Sequence, residues 1–128
     1  MFVKTPSAAS YLVSEANGTR SRDVVTIAEG VHALPGTVLG KVTATGHYVP
    51  LAPTKGSGED ETPDGSQTAA AVLFAEVDAT LGEKPGVITA RDAEVAAHAL
   101  LWPAGITEQQ QAAALAQLAQ ALRKVMVI

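Results

Sequence analysis

The sequence predicts a small α+β domain, mainly β, with one C-terminal helix and an extended N-terminal arm. Three observations carry this. Short β-branched or alternating runs, bounded by Gly and Pro, recur from Val24 to Thr89. A single stretch, residues 108–124, joins strong helix formers to a helical apolar period. Residues 1–23 are mostly polar or small, with four Ser, two Thr, two Arg and the Asn17-Gly18 pair, and are read as an arm ahead of a domain over 24–128.

The composition suits that class. A chain of 128 residues is the size of one domain. Hydrophobic residues make up 47% and charged residues 17%, so it can bury a core and is not a disordered polymer. Aromatics are only 4%, namely Phe2, Tyr11, Tyr48, Phe74 and Trp102, which leaves the core to Ala, Val, Leu and Ile. The absence of cysteine excludes disulfides, thiolate metal sites and cysteine nucleophiles. A net charge of −4, with no basic cluster, argues against binding nucleic acid unaided. No apolar run approaches the length of a membrane span, and residues 1–6 do not resemble a signal peptide. Synthesis in the cytoplasm, with no membrane partner, is the expectation.

The elements follow in order. Tyr11-Leu12-Val13 is extended in propensity and flanked by polar residues. Val24-Val25-Thr26-Ile27 is a strand ended by Glu29-Gly30. Leu34-Pro35-Gly36 is a turn, because Pro presets φ and Gly supplies the positive φ of a type II turn. Residues 37–43 then alternate, with Val38, Gly40 and Val42 on one face. Pro50 marks residues 47–51 as an edge strand or a strand end. Residues 52–68 form a loop, Ala69 to Ala75 a buried strand or helical turn, Lys84-Pro85-Gly86 a turn, and Val87-Ile88-Thr89 a strand. Residues 90–101 fit alternation and are expected to be extended.

The helix is the clearest element. Thr107 and Gln110 form a capping box. Leu115, Leu118 and Leu122 make one apolar stripe, and Arg123 and Lys124 sit where the macrodipole favours cations. Val125 to Ile128 then read as a strand that pairs in the sheet.

No catalytic constellation emerges. His32, His47 and His98 are scattered without metal-ligand spacing and read as surface or rim residues. Asp60 to Gly65 starts like a calcium loop, but Ala71 stands where a bidentate Glu is needed. Gly36 to Val42 lacks the spacing of a phosphate loop, and no Gly-x-Ser-x-Gly elbow exists. No metal, cofactor or enzymatic activity is expected. The arm, in contrast, carries apolar groups that a solvated tail does not use: Phe2, Val3, Tyr11, Leu12 and Val13. They are read as anchors on a partner, the other reading being that the arm packs on its own domain. On the anchor reading the arm is flexible until bound, because ordering it costs about 1–2 kcal/mol per residue. Removing residues 1–13 would then leave the domain's stability intact.

Several segments together resemble the lambda-type bacteriophage head decoration protein D family. They are Glu15-Ala16-Asn17-Gly18 leading to Ser21-Arg22 and Val25-Thr26, Leu34 to Lys41, Asp64 to Leu73, and Leu101-Trp102-Pro103 before the last helix. Their order matches over about residues 11–128. The resemblance implies a β-clip fold and a non-enzymatic structural protein. It implies a homotrimer over the threefold positions of an icosahedral shell, on the outer capsid surface of the virion. The arm would add to the major capsid protein as an extended segment and clamp capsomers against the pressure of packaged DNA. Trp102 and Pro103 are expected at a trimer interface or as a lid on the chain's own core, since Trp is favoured in both. The alternative is a free-standing β-clip module that binds a small ligand or sugar, which would need a concave pocket with converging polar groups.

Overall fold

The computed structural model describes residues 9, 11–15, 22–54, 63–90, 93–121 and 126–127. Among them are strands β1 (Leu12–Glu15), β2 (Arg22–Ile27), β3 (His32–Ala33), β4 (Val38–Lys41) and β5 (Tyr48–Pro50). Then come β6 (Ala69–Leu73), β7 (Val77–Asp78), β8 (Lys84–Thr89) and β9 (Ala93–Val95). A 3-10 turn at Ala97–Ala99, helix α1 (Glu108–Ala121) and β10 (Met126–Val127) complete the order. The domain is mainly β with one C-terminal helix, which fits the β-clip expectation.

Five strands close a barrel in the order β2-β5-β4-β6-β8. All its pairs are antiparallel except β2 with β5, which meet in parallel at Ile27 and Tyr48. A three-stranded sheet, β1-β9-β10, and a two-stranded ribbon, β3-β7, lie beside it. The turn before β4 forms as read. Gly36 has φ +90° and Thr37 N donates to Leu34 O at 3.2 Å. Gly36 is held on both sides, its N–H donating to Leu73 O and its carbonyl accepting from Leu101 N, each at 2.8 Å.

Successive residues of β4 and β6 enter different cores, because side chains alternate across a strand. Val38 and Val72 join a cluster with Tyr11, Leu51, Ala69, Val95, Leu100, Ala114 and Leu118. Leu39, Ala71 and Leu73 join Ile27, Ala33, Val77, Ala79 and Ile88. The second cluster draws on four barrel strands and fills the barrel. The first lies between the barrel wall, the helix and the β1-β9-β10 sheet. Alternation in β4 therefore divides two cores, where the sequence reading set only one buried face. The register between β4 and β6 shifts between Leu39 and Gly40, which pair with Ala71 and Ala69. That bulge lets Ala69 join the outer cluster although Ala71 points inward.

Other elements depart from the sequence reading. Lys84-Pro85-Gly86 belongs to β8 and pairs with Val25 to Ile27. A Cβ on Gly86 would lie 2.8 Å from Ile27 Cγ1, so the glycine serves close approach in a strand and not a turn. Residues 90–101 are only partly extended, with the turn at 97–99 following β9. β2 begins at Arg22, and β1 pairs with β9, so both strands reach into the segment read as an arm.

The capping box is formed. Gln110 N donates to Thr107 Oγ1 at 3.1 Å, and Thr107 N donates to Gln110 Oε1 at 2.9 Å. The helix packs on β6 through Ala114 and Leu118, with Leu115 partly buried. Gln117 adds a polar link, its Oε1 accepting from Ala69 N at 2.8 Å. Leu122, Arg123, Lys124, Val125 and Ile128 lie outside the described residues. The final strand pairs in parallel with β9 at Met126 and Val127. Leu118 is fully buried, so Leu118→Ala is expected to cost roughly 2–5 kcal/mol in denaturant unfolding. An unchanged midpoint would put the stripe in solvent.

Candidate functional site

Among the described residues no group of three or more His, Asp or Glu is gathered to hold a metal. The two described histidine side chains each meet one glutamate. His32 Nε2 lies 2.7 Å from Glu76 Oε2, both half exposed. His47 Nε2 lies 3.3 Å from Glu83 Oε2. The Glu76 hydrogen bond, aided by Asp78 across the ribbon, raises the His32 pKa above 6.5. Thr80 holds Asp78 below the usual carboxylate range by donating through both its hydroxyl and its N–H. These are surface pairs of small energetic consequence. Asp64, in the calcium-like stretch, shapes a turn: its Oδ1 accepts from Ser66 N at 2.9 Å and from the Ser66 hydroxyl. Residues 60–62 of that stretch lie outside the described residues.

The arm residues separate. Phe2 and Val3 lie outside the described residues. Tyr11 is fully buried in the outer core, and its hydroxyl pairs with Thr89 Oγ1, also buried. Its carbonyl accepts from Ala96 N at 2.8 Å. Two residues earlier, Ala9 N donates to Phe74 O at 2.9 Å. Tyr11 is thus a bolt of the domain, and the expected stability of a chain lacking residues 1–13 does not hold. Leu12 is partly buried against the same core, and Val13 is 54% exposed on β1. Trp102 packs on the outer core and is partly exposed, as is Pro103.

The surface carries two features that sequence reasoning missed. Val24 is 72% exposed and lies between two shallow grooves. One is lined by Arg22, Asp23, Val24, Phe74 and Val87, with the Arg22 guanidinium 4.0 Å from the Phe74 ring centre. Leu81, at the tip between β7 and β8, is 95% exposed. The one available sequence signal was a lone Leu inside a turn-forming stretch, Ala79 to Gly86. No buried side-chain nitrogen or oxygen among the described residues lacks a hydrogen-bond partner.

The family model of bacteriophage lambda head decoration protein D matches residues 1–123. The chain belongs to that family. A search of curated proteins finds no match. Membership in the head decoration family makes this a structural protein of the phage capsid. No helix among the described residues is long and apolar enough to cross a membrane.

Two expected outcomes follow for this decoration protein. Tyr11→Phe leaves the buried Thr89 hydroxyl without its partner and should cost about 1–3 kcal/mol in thermal or denaturant unfolding. A smaller loss would mean that Thr89 finds another hydrogen-bond partner. His32 should titrate above 6.5 by NMR, and Glu76→Gln should bring it back towards that value. Because the folded pKa is raised, the pair's contribution is complete below 6.5 and fades as pH rises through the folded value. An identical titration in both proteins would remove Glu76 as the cause.

Proposed function

We propose that the chain binds as homotrimers to the outer surface of an icosahedral phage head, over its threefold positions, and clamps capsomers against the pressure of packaged DNA. The match to the head decoration family over residues 1–123 carries this reading. The partner is the major capsid protein, and the role is mechanical, with no reaction catalysed. Residues 1–23 hold the shell, with Phe2 and Val3 as apolar anchors and the Leu12–Val13 strand as a backbone guide. Tyr11 contributes by fixing the root of the arm to the domain, not by reaching the shell.

The physics favours such a clamp. A strand added to an exposed sheet edge gains main-chain hydrogen bonds and places alternate side chains on the partner. β1 is an edge of its sheet. Three arms on one trimer act at high effective concentration, so each can bind weakly. Trp102 and Pro103, partly exposed over the outer core, are proposed beneath a protomer–protomer contact. The alternative, a free-standing module for a small ligand or sugar, wants converging polar groups in a deep pocket. The described grooves are shallow and mostly apolar in lining, which favours protein contacts.

The test is truncation ahead of the bolt. Removing residues 1–8 should leave the melting temperature nearly unchanged and abolish binding to expanded shells in a sedimentation assay. Truncated protein that decorates shells at wild-type occupancy would show that the arm is not the anchor.

A further inference from the structure

The three-stranded sheet brings together opposite ends of the sequence. β1 and β10 flank β9, and neither pairs with any other described strand. β9 is three residues long and, among the described residues, pairs with no barrel strand. The same two residues of β9 serve both neighbours. Val95 stands opposite Leu12 on one side and Val127 on the other, and Glu94 stands opposite Ser14 and Met126.

Each ladder is short. β1 meets β9 at three positions, and its register shifts between Leu12 and Ser14, with Val13 between them 54% exposed. β10 supplies two residues. A two-stranded ladder of this length is marginal in water, and a third strand is what makes such a sheet persist. Because β9 takes part in both ladders, ordering its backbone for one lowers the entropy cost of forming the other. Tyr11 carries the coupling to the root of the arm. Its carbonyl accepts from the N–H of Ala96, the residue after β9, at 2.8 Å, and its ring shares the outer core with Val95. On the far side β10 also touches α1, which gives that edge a support independent of the arm.

We infer that β10 is a latch on the arm. Its pairing with β9 holds β1 in register, and a partner that engages the arm tightens β10 in return, since such coupling is reciprocal. The part of this inference that concerns the shell rests on the decoration reading above. The latch itself is a property of the free chain.

Native-state hydrogen exchange on the free protein reads the latch without the shell, and two variants move it in opposite directions. Deleting residues 126–128 removes β10. Glu94→Cys with Met126→Cys places thiols at paired positions of β9 and β10, in a chain that has no other cysteine. The deletion should speed exchange at residues 13–15 about tenfold or more while the β6 and β8 amides keep their wild-type rates. Oxidising the double variant should slow exchange at residues 13–15 relative to its reduced form. In sedimentation with expanded shells, the deletion should bind about tenfold or more weakly than wild type, and the oxidised form more tightly than the reduced. Equal exchange at residues 13–15 with and without β10, or in the oxidised and reduced forms, would overturn the inference. So would a deletion that speeds the barrel strands as much as β1, because the sheet would then open only with the whole domain. Shell binding that is intact in wild type and the same in every variant would overturn the coupling to the partner. The expected exchange pattern in a chain that never occupies shells would sink the decoration reading alone.

Discussion

Burial of β4 and β6 on both faces is the constraint on which the rest of the structure depends. A barrel wall shared by two cores cannot carry polar side chains on either side, and it leaves little room for large ones. The wall is accordingly built of Val38, Leu39, Gly40, Ala69, Ala71, Val72 and Leu73, all buried. A five-stranded barrel has a narrow lumen, so its filling includes Ala33, Ala71 and Ala79 beside a few branched residues. Gly86 and Gly40 extend the same rule to the backbone. A Cβ on Gly40 would lie 2.7 Å from Ser66 Cα. The helix then covers the outer face, with Ala114 allowing close approach and Leu118 filling the space beside it.

The same wall determines where the N-terminal segment can act. Tyr11 enters the outer core between β4, β9 and the helix, and its hydroxyl needs Thr89 because an unpaired buried hydroxyl is costly. The chain before it is therefore tethered at a defined point beside Phe74, and an arm with a fixed root has less freedom to lose on binding. The domain thus already uses Tyr11, the residue just before β1, as part of its core.

Chemistry inside the block is spent on structure. Gln117 holds the start of β6, Asp64 shapes the turn that brings Ser66 against Gly40, and Asp78 stiffens the tip that carries Leu81. His32 and His47 pair with glutamates at the surface.

Local patterns were enough to place the strand from Val24 to Ile27, the type II turn at Gly36 and the capped helix, because each is decided within a few residues, whereas Ala69 to Ala75 stayed open between a strand and a helical turn until the barrel paired it. The order of segments from Glu15 to Pro103 was enough to indicate the family. Tertiary structure alone decided that Pro85 and Gly86 lie in a strand, since the reason is Ile27 on the facing strand. It alone decided that Tyr11 is a core residue, because its partners lie near residues 38, 89 and 95. The exposure of Leu81 and Val24 was equally hidden: side-chain type records what a residue can bury, whereas which face is covered depends on segments that meet only when the barrel closes.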